Sequence, residues 1–129
     1  MTDFSTTTLP ADSSITAPDG SDVRVLLRLS GGSMAHFQLA AGAVSKAMQH
    51  RTVEEIWYVL GGNGQMWRRQ GEREETVGLA PGTCLTIPVG TAFQFRAGDH
   101  APFTAVAITM PPWPGDGEAV FVDGPWTAR

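Results

Sequence analysis

The sequence predicts an all-β domain, folded as a sandwich or a barrel. Three features point there. Short runs of residues either alternate apolar with polar positions or stay apolar throughout. Gly, Pro and Asn punctuate these runs at intervals of about eight to twelve residues. No stretch of useful length carries a helical period, Val44–Met48 being the one weak and short candidate. At 129 residues the chain is long enough to bury a core in one domain without staples.

Residues 1–20 are rich in Ser, Thr, Pro and Asp and poor in apolar side chains. They cannot bury enough surface to offset the entropy of ordering, and are expected as a flexible arm ahead of a single domain at 21–129. Val23–Leu29 alternates well enough for a strand, and Ser30-Gly31-Gly32 turns it into another at Met34–Leu39. A turn at residues 40–43 leads to an extended run that holds His50. After the polar turn Arg51–Glu54, a strand spans Glu55–Leu60 and stops at Gly61-Gly62-Asn63-Gly64. Glu55, Trp57 and Val59 share one of its faces and Ile56, Tyr58 and Leu60 the other. Both faces are mostly apolar, so this strand is expected to be covered on both sides.

Gln65–Arg69 returns as a hairpin, and Glu75–Leu79 follows the turn at Gln70-Gly71. Pro81-Gly82 supplies a pre-set φ and then a permissive residue. Cys84–Ile87 and Ala92–Arg96 flank Pro88-Val89-Gly90. Phe103–Met110 reads as a buried strand halted by Pro111–Gly115, and Glu118–Val122 as a last edge strand.

A net charge of −4 argues against a nucleic-acid partner, which needs clustered positive charge. The one basic cluster, Arg68, Arg69 and Arg73, is interleaved with Glu72, Glu74 and Glu75 and reads as a solvated hairpin tip. The single Cys84 excludes an internal disulfide framework, fits a reducing compartment and reads as a small hydrophobe. No basic start is followed by an apolar core, and no apolar run approaches a membrane span. A cytoplasmic protein, with neither a membrane nor a nucleic-acid partner, is the expectation.

Two spacings carry the chemistry. The first runs Gly42, five residues, Met48-Gln49-His50, four residues, Glu55, six residues, Gly62. The second runs Gly82, five residues, Pro88-Val89-Gly90, two residues, Phe93, three residues, Ala97. Together they resemble the two motifs of the cupins, in which Gly, His-x-His, Glu and Gly are followed by Gly, Pro-x-Gly, His and Asn. The glycine and proline framework is kept in full. The resemblance implies a cupin double-stranded β-helix, a small jelly-roll barrel. In metal-binding cupins the two histidines and the glutamate of the first motif, with the histidine of the second, converge on one ion. Here His50 and Glu55 occupy two of those positions, while Met48 and Phe93 stand where the other two histidines would be. The implied cofactor is therefore none, or a weakly held divalent transition metal on His50 and Glu55.

What remains is a His and a Glu in an apolar cup lined by Met48, Trp57, Met66, Phe93 and Phe95. An ionised Glu55 would orient His50 and stabilise its protonated form, making a poised acid/base pair. Some cupin-fold sugar epimerases work without a metal, so the resemblance allows a metal-free enzyme. The expected function is proton-transfer chemistry of isomerase, cyclase, dehydratase or lyase type on an apolar or aromatic small molecule. His50 would act as general acid/base and Glu55 as its orienting carboxylate. Three alternatives stay open: a non-enzymatic binding module, a metal-dependent oxygenase-like cupin, and a pair that merely satisfies its own polar groups. His36 is a possible third polar group of the pocket, whereas His100 sits in an exposed loop. Gln49, Gln65 and Gln94 are expected to point outward. Trp113 and Trp126 are expected to close a barrel end or sit at a subunit contact. Tetrameric or dimeric assembly is common in the family, and the expectation is a homo-oligomer, a homodimer.

Overall fold

The computed structural model describes residues 1–12 and 15–129, Asp116 by its backbone alone; positions 13–14 of the expected arm lie outside the described residues. Among these residues eleven strands follow in chain order. They are β1 (Ile15–Thr16), β2 (Asp22–Leu29), β3 (Gly32–Leu39), β4 (Met48–His50), β5 (Glu54–Gly61) and β6 (Gly64–Gln70). The rest are β7 (Arg73–Leu79), β8 (Cys84–Ile87), β9 (Ala92–Ala97), β10 (Phe103–Met110) and β11 (Ala119–Phe121). They form two antiparallel sheets, β1-β2-β3-β10-β5-β8 and β11-β4-β9-β6-β7, which enclose one core. The described residues contain a single 3-10 turn, Asp116–Glu118, and no helix long and apolar enough to cross a membrane. Val44–Met48 is extended, with Val44 bridged to Arg96.

Alternation builds the core. In β5 every second residue is buried, so Glu55, Trp57 and Val59 point inward. Trp57 stacks on Phe37 of β3 with ring centroids 5.3 Å apart and meets Phe95 of β9 edge-on at 5.0 Å. The other face of β5 departs from expectation. Ile56, Tyr58 and Leu60 are 47%, 49% and 44% exposed, because no element among the described residues covers the outside of the six-stranded sheet there. Cys84 is likewise exposed on the edge strand β8 rather than buried as a small hydrophobe.

A segment near the N-terminus and the C-terminal tail lie against the barrel. Ile15 and Thr16, grouped by composition with the arm, pair with Val23 and Asp22 of β2. The turn that follows buries Asp19, whose Oδ1 accepts bonds from Ser21 N at 2.9 Å and Ser21 Oγ at 2.6 Å. Polar pairing of this kind orders a stretch that has few apolar residues. At the other end, Arg129 and Val44 exchange two backbone bonds. Gln94 points out of the barrel but is buried there under the C-terminal tail, where it donates to Ser45 O and Trp126 O, each at 2.8 Å. The Arg96 guanidinium lies 4.1 Å from the Trp126 ring centroid. The basic hairpin tip pairs internally: Arg68 and Arg73 reach Glu75 at 3.5 and 3.6 Å.

Gly62 closes the β5–β6 turn with φ +74°, and a Cβ there would collide with the carbonyl oxygen of Pro102. Gly78, on the exposed side of β7, has open space around it. Gly62→Ala should therefore cost at least about 2 kcal/mol of stability in urea unfolding, while Gly78→Ala stays within about 0.5 kcal/mol of the parent. Equal effects at the two positions would contradict this account of the turn.

Candidate active site

The site is built from the two strands that the first motif joins. β4 carries Met48 and His50; the turn 51–53 then delivers Glu55 and Trp57 on β5. Glu118 fixes that turn. Its carboxylate accepts the backbone N–H of Thr52, Thr52 Oγ1 at 2.8 Å and the Val53 N–H at 2.7 Å. Burial opposes its charge, but these bonds hold Glu118 below the usual carboxylate range.

His50 is 3% exposed and wedged edge-on between Phe93 and Trp113, both with ring centroids at 5.2 Å. Its Nδ1 is buried without a hydrogen-bond partner and faces Glu55 Oε1 across 3.7 Å. That separation is too long for a hydrogen bond. The other oxygen, Glu55 Oε2, accepts the Trp57 indole N–H at 2.6 Å. The pair opens on a largely apolar cavity of about 80 Å³. Met48, Trp57 and Phe93 line it, as do Asp19, Phe37 and Trp113. Met66 and Phe95, expected on its wall, do not line it and pack in the core instead. Glu54 is exposed. His36 is buried but does not line the cup; its partners across the sheet are Val106 of β10 and Arg24 of β2.

Burial sets the protonation states. Desolvation pushes Glu55 up from 4.5 to about 7; the Trp57 bond opposes this and the nearby Asp19 charge adds to it. Desolvation pushes His50 down from 6.5 to about 4, against the pull of Glu118. The pair is thus not the carboxylate–imidazolium couple that its residue types imply. At neutral pH the imidazole is neutral and Glu55 titrates. Asp19 is also raised by burial, its bonds to Ser21 pulling the other way.

The cupin domain model matches residues 35–109, more than half of the chain. The chain belongs to the cupin family. No curated protein matches its sequence significantly. Among solved structures, the capsular polysaccharide assembling protein CapF from Staphylococcus aureus superposes with a TM-score of 0.72 at 14% identity. That likeness covers 84% of this chain and 33% of the other, so this cupin spans about a third of that protein's length. KdgF from Halomonas sp. gives a TM-score of 0.70 at 17% identity, over 85% of this chain and 97% of the other. An oxalate decarboxylase gives 0.69 at 14%, over 79% and 28%. At such identities the likeness is one of fold. Asp19, Trp113 and Glu118 lie outside the matched region, and motif spacing could not have found them.

Metal-binding cupins gather four donors, and this barrel offers two of them. Met48 and Phe93, paired directly across β4 and β9, fill the remaining positions with a thioether and a phenyl ring. No cluster of three or more His, Cys, Asp or Glu able to hold an ion occurs among the described residues. Two donors fall short of the three or four that a resident transition ion takes. The residues present do not fit one.

The opposed shifts of His50 and Glu55 have a signature in stability. Glu55 holds its proton more tightly folded (about 7) than at its ordinary value of 4.5, so raising pH through that window favours unfolding. His50 holds its proton less tightly folded (about 4) than at 6.5, so raising pH through that window favours folding. Between pH 4.5 and 6.5 the two cancel. Relative to the parent, Glu55→Gln should therefore gain, and His50→Asn should lose, about 2–3 kcal/mol across that window in urea titrations. Parallel stability curves for all three proteins would show that burial does not shift these groups.

Proposed function

We propose that this cupin is an enzyme that moves a proton on a small apolar or aromatic molecule held in the cup. Isomerisation, cyclisation, dehydration and elimination all fall within that class. The observation that carries the reading is the unpartnered His50 Nδ1 facing Glu55 Oε1 across 3.7 Å at the wall of an apolar cavity. A buried polar atom left without a partner costs stability, and such atoms cluster where a ligand completes the bonding.

Glu55, titrating at about 7, exchanges a proton with the substrate at neutral pH. His50, neutral, receives or steers the second proton from the opposite side of the 3.7 Å gap, which a substrate heteroatom can bridge. Trp57 holds Glu55 through Oε2 and leaves Oε1 for the substrate. Phe93 and Trp113 fix the imidazole plane and keep water from it. Exchange of carbon-bound hydrogen for deuterium in D2O, followed by NMR over a panel of small aromatic and alicyclic ketones, tests this. His50→Ala and Glu55→Gln should each lower the rate by about 10²–10⁴-fold while the circular dichroism of the fold is kept. Turnover retained in either variant would overturn the assignment, and a compound bound tightly but returned unchanged would mark a binding module instead.

We also propose a homodimer formed through the outer face of the six-stranded sheet. Leu27, Leu29, Ile56, Tyr58 and Leu60 are each at least 40% exposed there, and an apolar surface of this extent marks an interaction site. The chain should sediment at twice its 13.8 kDa, and Ile56→Asp should sediment as a monomer. A monomeric parent at micromolar concentration would contradict the pairing.

A further inference from the structure

One wall of the cup comes from outside the family core. Ile15, Ala17, Pro18 and Asp19 line the same cavity as His50 and Glu55, although the family model begins at residue 35. The wall is held in place. β1 pairs with β2, Ala17 N–H donates to Ser21 O at 2.8 Å, and Lys46 N–H donates to Asp19 O at 2.8 Å. Asp19 is only 5% exposed, and both bonds from Ser21 go to its Oδ1.

The charge inside the cup is one-sided. Two acids line it, together with an imidazole whose buried Nδ1 has no partner, and no Lys or Arg lines it among the described residues. Lys46, next to the Asp19 turn, sends its ammonium over the Phe121 ring, 5.2 Å from the centroid. The Arg24 guanidinium is engaged by the carbonyls of Pro10 and Ala11 at 2.8 and 2.9 Å. An anion entering this cup would lose its water and find no cation to replace it. An ammonium group would find a carboxyl group held in place to receive a charge-assisted hydrogen bond.

We propose that the cup is a receptor for a ring-sized apolar amine, with Asp19 as the group that receives the ammonium and with carboxylate ligands excluded. The inference rests on the reading that the cup is the functional site, and it adds the class of ligand and a recognition residue from outside the motifs. Benzylamine, benzyl alcohol and benzoate, which share a ring and differ in charge, are the probes. Their binding at pH 8 is read from the fluorescence of Trp57 and Trp113, which line the cavity. Benzylamine should bind at least about tenfold tighter than benzoate, with benzyl alcohol between them. Asp19→Asn should bring benzylamine down to the level of benzyl alcohol and change benzyl alcohol itself by less than about threefold. The ranking in the unmutated chain stands as a test even if Asp19→Asn melts early. Benzoate binding as tightly as benzylamine, a uniform loss for all three in Asp19→Asn, or no binding of any probe at millimolar concentration would each overturn the proposal. Failure of the proton-transfer reading is separable, because turnover is read in His50→Ala whereas these binding ratios are read in the unmutated chain and in Asp19→Asn.

Discussion

Glu55 and His50 are held out of water within 3.7 Å of one another and yet are not bonded to each other. Much of the barrel serves that arrangement. A carboxyl group enters a core only when some of its lone pairs are satisfied, and the Trp57 indole satisfies one oxygen of Glu55 from two residues along the same strand. An imidazole keeps an unbonded nitrogen only if its ring cannot turn to find a partner. Phe93 and Trp113, meeting the ring edge-on, prevent that. Glu118 pins the short turn between the two residues, which joins one sheet to the other. Desolvation then decides the chemistry, favouring the neutral form of each group and bringing the carboxyl, rather than the imidazole, into the physiological range.

The segments beyond the family core turn an open barrel into a shaped cup. β1 and the Asp19 turn close one side, and Trp113 closes another over His50. The C-terminal tail covers the outside of the five-stranded sheet, where Gln94 and Arg96 would otherwise meet solvent. Over Ile56, Tyr58 and Leu60 the outer face of the six-stranded sheet has no such cover among the described residues. One sheet is therefore capped by its own tail, while the other presents apolar strands.

How much of this was legible in the sequence follows from the range of each interaction. The Gly and Pro framework was legible because each position answers a local demand, such as the positive φ at Gly42, Gly62, Gly82 and Gly90. The inward aim of Trp57 was legible because period-2 alternation is a property of one strand. The exposure of Ile56, Tyr58 and Leu60 was not, since an apolar face reads the same whether its own chain covers it or not. Asp19 was hidden in a stretch whose composition reads as disordered, because what orders it is a buried hydrogen-bonded turn rather than apolar burial. Glu118 contacts a turn 65–66 residues earlier in the chain, a pairing without a local signature. The protonation states were also hidden, because residue types alone imply an ion pair and only the depth of burial reverses it.

The central claim is that burial, and not a salt bridge, sets the state of the Glu55–His50 pair. Carbon-13 NMR of the Glu55 carboxyl, assigned by comparison with Glu55→Gln and followed with pH, tests it most directly. The account predicts a midpoint about 7, with His50 staying neutral down to about 4. A Glu55 midpoint at or below 4.5, its ordinary value, together with an imidazolium persisting above pH 6.5, would mean that an ion pair holds the site, and the account would be wrong.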